Sequence, residues 1–276
     1  MLSAGFGHVR RHRIRSARTI TNGETDNNGP TTLNQLGILN TSLPIVFSHG
    51  SYFSTDDALL LRSTNQYLSI TPESEHHYGH GDPVSHLIQD QAAIGVDTHF
   101  TYSADIVTQA RFWLQIVRLR YYEQVLANWQ VPRNNPESAR QAFYLATRAG
   151  GLSVRRPDIG VITQGAKADL VIFDGDSPNM LGWADPIAAV MLHSNVGDVR
   201  HVLVDGEFRK RDGKLILPNN GSWPDVQQKF LASAKRIQQI WAETPLPNLE
   251  GGELRPGIPY AEAVTADTLR GPGTGY

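Results

Sequence analysis

The stretch that most constrains the fold of this chain is Ser138–Gly213, which predicts a fixed order of helix, turn, strand and hairpin. Its first part is helical, because apolar side chains recur on one face at the period of an α-helix. These are Ala142, Leu145, Ala146 and Ala149. Gly150 and Gly151 follow, and we expect them to end the helix, as glycine often does just past a helix terminus.

The rest of this stretch predicts a small antiparallel sheet. Gly165 suits a tight turn before the first strand. Short runs of strand-forming residues predict strands at Leu170–Phe173, Val199–Val204 and Glu207–Arg211. Asp-Gly pairs follow the last two, at 205–206 and 212–213, and are typical of two-residue hairpin turns.

Residues 44–128 predict a strand followed by a helix three times. The strands are predicted at Pro44–Ser48, Gln66–Ile70 and Ala92–Val96, and the helices after Ser54 or Thr55, at Pro83–Gln91 and at Asp105–Asn128. A polar loop is expected over Thr71–Asp82. This repeat is the βα unit of a parallel α/β fold, in which reactive side chains follow the strands.

The order of these pieces resembles the amidohydrolase superfamily, in its deaminase and chlorohydrolase branch. The resemblance rests on Tyr144–Gly151, on the G-x-x-x-x-G-x-x-A-D-L-V-I pattern of Gly160–Ile172 and on the hairpin Val202–Gly206. It implies an α/β fold: the C-terminal part of a TIM-type (β/α)8 barrel, about its last three βα units, with a small β-sandwich segment. The predicted organisation is a basic tail (1–29), partial barrel (30–150), β segment (151–217), C-terminal helix (218–245) and flexible tail (246–276).

Composition narrows the class of protein. Of 276 residues, 40% are hydrophobic and 19% charged, with net charge -2, which describes a globular chain without the basic stripe of a nucleic-acid binder. The absence of cysteine excludes disulfides, thiolate metal sites and a cysteine nucleophile. No run reaches the length of a membrane span. We predict a cytoplasmic protein without nucleic-acid or membrane partners and with a small-molecule substrate; the arginine-rich residues 1–28 are a disordered tail or a transit peptide.

Two residues that follow predicted strands are the candidate catalytic and metal-binding groups. Asp97, in Gly95-Val96-Asp97, matches the metal-ligand aspartate after the family's eighth strand, although an isolated aspartate here is more often a turn or cap residue. His49, in IVFSHGSY, matches the histidine after the sixth strand, which binds a second metal or orients water. The alternative for His49 is a hydrogen-bonded turn residue.

The segment TPESEHHYGHG resembles the family's substrate-lining segment after the seventh strand. By that resemblance Glu73, Glu75 and His76 are candidate substrate-binding residues. The H-H-x-x-H spacing of His76, His77 and His80 matches no established zinc motif, and a solvated pocket rim is the favoured interpretation.

The chain also departs from the family pattern, because it contains no H-x-H pair and lacks the fifth-strand histidine and glutamate. The resemblance implies a hydrolase of carbon–nitrogen bonds other than peptide bonds, acting by metal-activated water on a small cyclic amine or amide. The metal would be zinc, or alternatively iron. The chain would lack it if the two candidate ligands, Asp97 and His49, are too few to bind it. Whether the chain is an enzyme therefore stays open. The alternative is a truncated, inactive remnant that needs a partner or self-association. Self-association would give a homo-oligomer.

Overall fold

A three-stranded parallel sheet organises the first part of the chain in the computed structural model, which describes residues 29–50, 53–79, 85–255 and 258–263. Its strands are β1 (Val46–Ser48), β2 (Tyr67–Ile70) and β3 (Ala92–Ile94), in the spatial order β1-β2-β3. Ser48 pairs with Ser69, and Ile70 pairs with Ile94. The carboxyl ends of all three strands therefore meet at one edge of the sheet.

The helices of this part lie before, between and after the strands. They are α1 (Pro30–Gln35), α2 (Thr55–Thr64), α3 (Pro72–His77) and α4 (Ile106–Leu126), with 3-10 turns at Ser85–Leu87 and Gln89–Gln91. The predicted start of α2 is confirmed: Ser54 is its N-cap, and Asp57 completes a capping box. Asp105 caps α4 by accepting hydrogen bonds from the amides of Val107 and Thr108.

Two predictions for the connection between β2 and β3 are wrong. In the described part of the expected polar loop, residues 72–77 form the short helix α3, and the described part of the expected helix over Pro83–Gln91 forms two 3-10 turns. Proline suits the first helical position, because its missing amide needs no partner there. The Glu75 carboxylate also accepts a hydrogen bond from the amide of Thr71, the N-cap of α3, at 2.8 Å.

The hydrophobic core lies between the parallel sheet and its helices. β2 is buried along most of its length, as expected for the central strand of a parallel sheet covered on both faces. The largest fully buried side chains include Trp113 and Leu114 of α4, Phe47 of β1, and Leu68 and Ile70 of β2. Because these side chains come from α4, β1 and β2, their packing fixes the positions of the strands relative to one another.

The predicted helix at the start of the organising stretch is present, but it ends differently. It comprises α5 (Ala139–Ala146) and α6 (Arg148–Ser153), separated at Thr147, whose ψ of -87° is not helical. Gly150 and Gly151 lie inside α6 and do not end it, so that prediction is wrong. At Gly151, a Cβ atom would lie 2.6 Å from the carbonyl oxygen of Ile159, so this glycine allows close backbone approach.

The predicted strands and turns farther along are confirmed. An antiparallel sheet has the order β4-β5-β6-β7 and comprises β4 (Leu170–Phe173), β5 (Val199–Val204), β6 (Glu207–Arg211) and β7 (Lys214–Leu215). Asp205 and Gly206 both have positive φ, as a two-residue hairpin turn requires. Between β4 and β5, helix α7 (Pro186–Ala188) continues as a π-helical turn over Ala189–His193. A second sheet that would complete the predicted sandwich is not present among the described residues up to 225.

The chain divides into two compact units, and the described residues 29–225 belong to the first. The second contains α8 (Trp223–Glu243) from Val226 onward and the hairpin of β8 (Glu253–Arg255) and β9 (Ile258–Pro259). The predicted boundary between 150 and 151 stays a prediction, and the predicted basic tail lies outside the described residues up to position 28. None of the helices in the described part of the chain has the length and hydropathy of a membrane-spanning segment.

The adjacent glycines of α6 provide a matched test of this packing. Gly151→Ala places a methyl group against backbone, and we expect it to lower the free energy of unfolding by about 1–3 kcal/mol. Gly150→Ala meets no atom within 4 Å. It should raise the free energy of unfolding by up to about 1 kcal/mol, because alanine favours a helix over glycine. Urea denaturation of both variants measures the difference, and equal effects would contradict the close approach at Gly151.

Candidate functional site

Polar side chains follow the strands of the parallel sheet. Backbone hydrogen bonds between neighbouring strands continue past the ends of β1 and β3. The amide of His49, directly after β1, donates to the carbonyl of Ser69 at 2.9 Å. The amide of Gly95, directly after β3, donates to the carbonyl of Ile70 at 2.8 Å. Because neighbouring strands are about 4.8 Å apart, the outer two are separated by roughly 10 Å.

The two candidate catalytic residues both have left-handed backbone conformations. The φ angle is 68° at His49 and 58° at Asp97. Non-glycine residues rarely adopt positive φ, and such strain concentrates at functional sites. Gly50 also has positive φ, and a Cβ atom there would lie 2.5 Å from a methyl group of Leu68. The chain thus turns sharply after each outer strand. This supports a functional site at the carboxyl-terminal edge of the parallel sheet.

Two hydroxyl groups hold the Asp97 carboxylate. The buried Ser74 Oγ donates to Asp97 Oδ2 at 2.7 Å, and the Tyr102 hydroxyl donates to the same oxygen at 3.3 Å. Burial, together with the charge of Asp97, raises the pKa of Tyr102, so its hydroxyl stays protonated and donating. Neither hydroxyl occupies Oδ1. The arrangement leaves one oxygen of an otherwise exposed carboxylate for a ligand or a proton.

His49 lies against the residues that follow β2. Its Nδ1 is 2.9 Å from Thr71 Oγ1 and 3.5 Å from Glu75 Oε1. The His49 side chain is 18% exposed, whereas that of Glu75 is only 3% exposed. The predicted substrate contact of Glu75 stays a prediction. In the structure this buried carboxyl group contacts His49 and the backbone amide of Thr71.

Glu73 is anchored to α4 by Gln109. The Gln109 side-chain amide donates to Glu73 Oε2 at 2.6 Å and to the Ser103 carbonyl at 2.9 Å. Its oxygen accepts from the Glu73 amide at 3.2 Å. Gln109 is fully buried, whereas Glu73 is half-buried. Glu73 is therefore held in place at a position that a ligand can reach.

The histidines of α3 form an exposed rim. His76 packs edge-on against Phe112, and its Nδ1 lies 2.7 Å from the Pro72 carbonyl oxygen. His77 lies close to Tyr102, with ring centroids 5.8 Å apart. His80 is outside the described residues. The predicted substrate contact of His76 stays a prediction, and its exposure agrees with a place on the rim.

The described residues do not fit a complete metal centre. No group of three or more histidine, cysteine, aspartate or glutamate side chains that could hold a metal occurs among them. A catalytic zinc usually needs three protein ligands. Asp97 and His49 follow different outer strands and would supply two.

Four residues that support the site were not predicted from the sequence: Thr71, Ser74, Tyr102 and Gln109. Ser74 and Thr71 were assigned to a loop because proline was not taken as a helix start. Pro72, followed by acidic residues, is nevertheless a helix-start signal that could have located α3. Nothing in the local sequence identifies Tyr102 or Gln109, whose partners lie 5 and 36 positions away.

The sequence matches a known family over most of its length. The model of the Amidohydrolase family matches residues 14–209. A 5-methylthioadenosine/S-adenosylhomocysteine deaminase of Desulforamulus reducens is 27% identical over 179 residues, covering 63% of this chain and 39% of the relative. The chain thus spans about two-fifths of the length of that curated relative.

Solved structures agree with the fold. A zinc-bound adenosine deaminase from Xanthomonas campestris superposes with a TM-score of 0.65 at 19% identity, covering 76% of this chain and 45% of that one. A zinc complex of atrazine chlorohydrolase from Arthrobacter aurescens has a TM-score of 0.60 at 17% identity, covering 73% and 43%. At these identities the similarity establishes the fold alone, which is part of a TIM-type barrel.

The anchoring of Glu73 can be tested with two glutamines of α4. Gln109→Ala removes three hydrogen bonds from a buried position, and we expect it to lower the free energy of unfolding by about 1–3 kcal/mol. Gln115→Ala changes an exposed glutamine of the same helix and should stay within about 0.5 kcal/mol of wild type. Chemical denaturation compares them. Similar stabilities for both variants would contradict the anchoring role of Gln109.

Proposed function

Because this chain belongs to the amidohydrolase family, we propose that it serves the hydrolysis of carbon–nitrogen bonds other than peptide bonds in a small cyclic amine or amide. The single observation that carries the proposal is the pair of strained residues, His49 and Asp97, at one edge of the parallel sheet. In α/β barrels, catalytic groups lie at the carboxyl ends of strands. The deaminase from Desulforamulus reducens supports the same reaction class.

In this reaction a water oxygen forms a bond to the ring carbon, and the bond from that carbon to the amino nitrogen breaks. Asp97 accepts one proton from the attacking water and passes it to the leaving amino nitrogen, so ammonia departs. The second water proton moves from the added hydroxyl to the adjacent ring nitrogen, and a carbonyl remains. Asp97 Oδ1 is suited to this transfer, because Ser74 and Tyr102 both engage Oδ2. The hydroxyls keep the carboxylate at a constant angle during the proton transfers.

The other candidate residues have complementary roles in the proposal. His49 orients the water or stabilises the charge that develops on the substrate, which a neutral imidazole can do. Glu73, held by Gln109, is suited to accept a hydrogen bond from a substrate amine. His76 lies on the rim, where it would contact the outer part of a substrate.

A divalent metal, zinc or alternatively iron, is part of the proposal, and zinc-bound relatives of the same fold support it. When bound, such a metal acts as a Lewis acid. Asp97 and His49 are its candidate ligands here, but they fall short of a complete set. The remaining ligands would have to lie outside the described residues.

The finer fold assignment also belongs to the proposal. The three βα units correspond to the last three of an eight-unit barrel, and residues 151–217 to a β-sandwich segment that follows it. The alternative, an inactive remnant that requires a partner or self-association, is not favoured by the family and its deaminase members. A cytoplasmic location and a homo-oligomeric state remain predictions.

Ammonia release by the purified 276-residue chain, supplied with zinc or ferrous iron, tests this function on a panel of adenosine-type nucleosides and aminated heterocycles. We expect Asp97→Asn to reduce the rate about 100-fold or more, because an amide cannot relay the proton. Asp56→Asn, an equally conservative change of an exposed carboxylate in α2, should leave the rate unchanged. Undetectable turnover together with no bound metal by elemental analysis would overturn the proposal.

A further inference from the structure

We propose that Glu75 is a positioning residue that fixes the orientation and tautomer of the His49 ring. The inference rests on the proposed function for its catalytic meaning, and on geometry alone for the contact itself. Glu75 belongs to α3, the segment directly after the central strand β2. Since β2 pairs with both neighbours, α3 begins beside the ends of both outer strands.

Adjacent side chains of α3 reach opposite neighbours. Successive residues of an α-helix point about 100° apart, so two consecutive side chains diverge. Ser74 reaches Asp97, which follows β3, and Glu75 reaches His49, which follows β1. One helical turn thus contacts both candidate catalytic residues. Glu75 is the member of this pair that has a carboxyl group.

The Glu75 carboxylate is itself held firmly. Its Oε1 accepts a hydrogen bond from the Thr71 amide at 2.8 Å, and the side chain is 3% exposed. A buried carboxylate without suitable partners is costly, so groups that donate to it are favoured around it. The same Oε1 lies 3.5 Å from His49 Nδ1. Glu75 Oε1 is therefore a fixed acceptor oxygen facing one edge of the imidazole.

This placement selects one tautomer of His49. Because Oε1 already accepts a hydrogen bond from the Thr71 amide, it presents an acceptor lone pair to Nδ1, which favours a proton there over a lone pair. The Thr71 hydroxyl, 2.9 Å from Nδ1, can accept the same hydrogen. With Nδ1 protonated, the neutral ring carries its lone pair on Nε2. That nitrogen is then the one able to orient a water or bind a metal, as in sites where a carboxylate orients a histidine.

The assignment differs from the predicted substrate contact of Glu75. A substrate-binding carboxylate needs a surface that a ligand can reach, and the Glu75 side chain is only 3% exposed. Glu73, two residues earlier, is half-buried and contacts Gln109. The two glutamates of α3 therefore have different tasks, and Glu73 is a matched control for Glu75.

The test is the tautomer of His49 in the full 276-residue chain without substrate. Histidine is labelled with 15N, long-range 1H–15N NMR spectra identify the protonated nitrogen, and the loss of one signal in His49→Gln assigns the residue. We expect Nδ1–H in the wild type, and a shift towards Nε2–H in Glu75→Ala. Glu75→Gln, which keeps the size and one acceptor oxygen, should restore Nδ1–H. Glu73→Gln should leave the His49 signal unchanged.

Several outcomes would overturn the proposal. One is an Nε2–H ring in the wild type, which decides the question even if Glu75→Ala does not fold. Another is an unchanged tautomer in a folded Glu75→Ala variant. A third is a tautomer that responds to Thr71→Val but not to Glu75→Ala, since the hydroxyl would then orient the ring.

Activity provides a separate readout where turnover is measurable. Glu75→Ala should lower kcat about 10- to 100-fold with little change in KM, because it misorients His49 without removing a substrate contact. A loss confined to KM would instead indicate substrate binding and contradict the positioning role. If the chain has no turnover, the proposed function fails while the NMR result still decides the role of Glu75.

Discussion

The pairing of β2 with both β1 and β3 is the interaction on which the rest of the structure depends. It brings together residues 49, 71 and 97, which are far apart along the chain, and it sets their spacing through the hydrogen-bonding distance between strands. The core residues of α4 and the strands stabilise this pairing by burying both faces of the sheet. Because the strands are only three or four residues long, the side-chain contacts beyond their ends are needed to orient the reactive groups.

Those contacts come mainly from α3. Ser74 and Glu75 are both buried, and each engages a neighbour that has a strained backbone conformation. The free energy stored in positive φ angles at His49 and Asp97 must be offset by surrounding interactions. Buried hydroxyl and carboxylate contacts provide such interactions and also select the direction in which each side chain points. Helix α3 therefore stabilises the backbone at His49 and Asp97 and also orients their side chains.

The sequence predicted the elements well where local chemistry is decisive. Strands β4, β5 and β6 have the predicted bounds, because runs of strand-forming residues and the Asp-Gly turn between β5 and β6 are local signals. The start of α2 was predicted at Ser54 or Thr55, and Ser54 is its N-cap. Helix α4 was predicted over Asp105–Asn128, and Asp105 is its N-cap. The predictions for Gly150 and Gly151 were wrong because their local signal is that of a helix end. The crowding at Gly151 comes from the carbonyl of Ile159, eight residues later, which no local pattern reveals.

For the site, the sequence by itself determined which polar residues follow the strands, since His49 and Asp97 can be read from the ends of apolar runs. It also determined the family through the ordered segments after residue 138. Only the tertiary structure decided which groups touch them: Ser74 and Tyr102 at Asp97, and Thr71 and Glu75 at His49. It also separated the buried Glu75 from the accessible Glu73. The physical reason is that hydrogen bonds and burial depend on distances in space, whereas a sequence pattern reports only periodicity and local backbone preference.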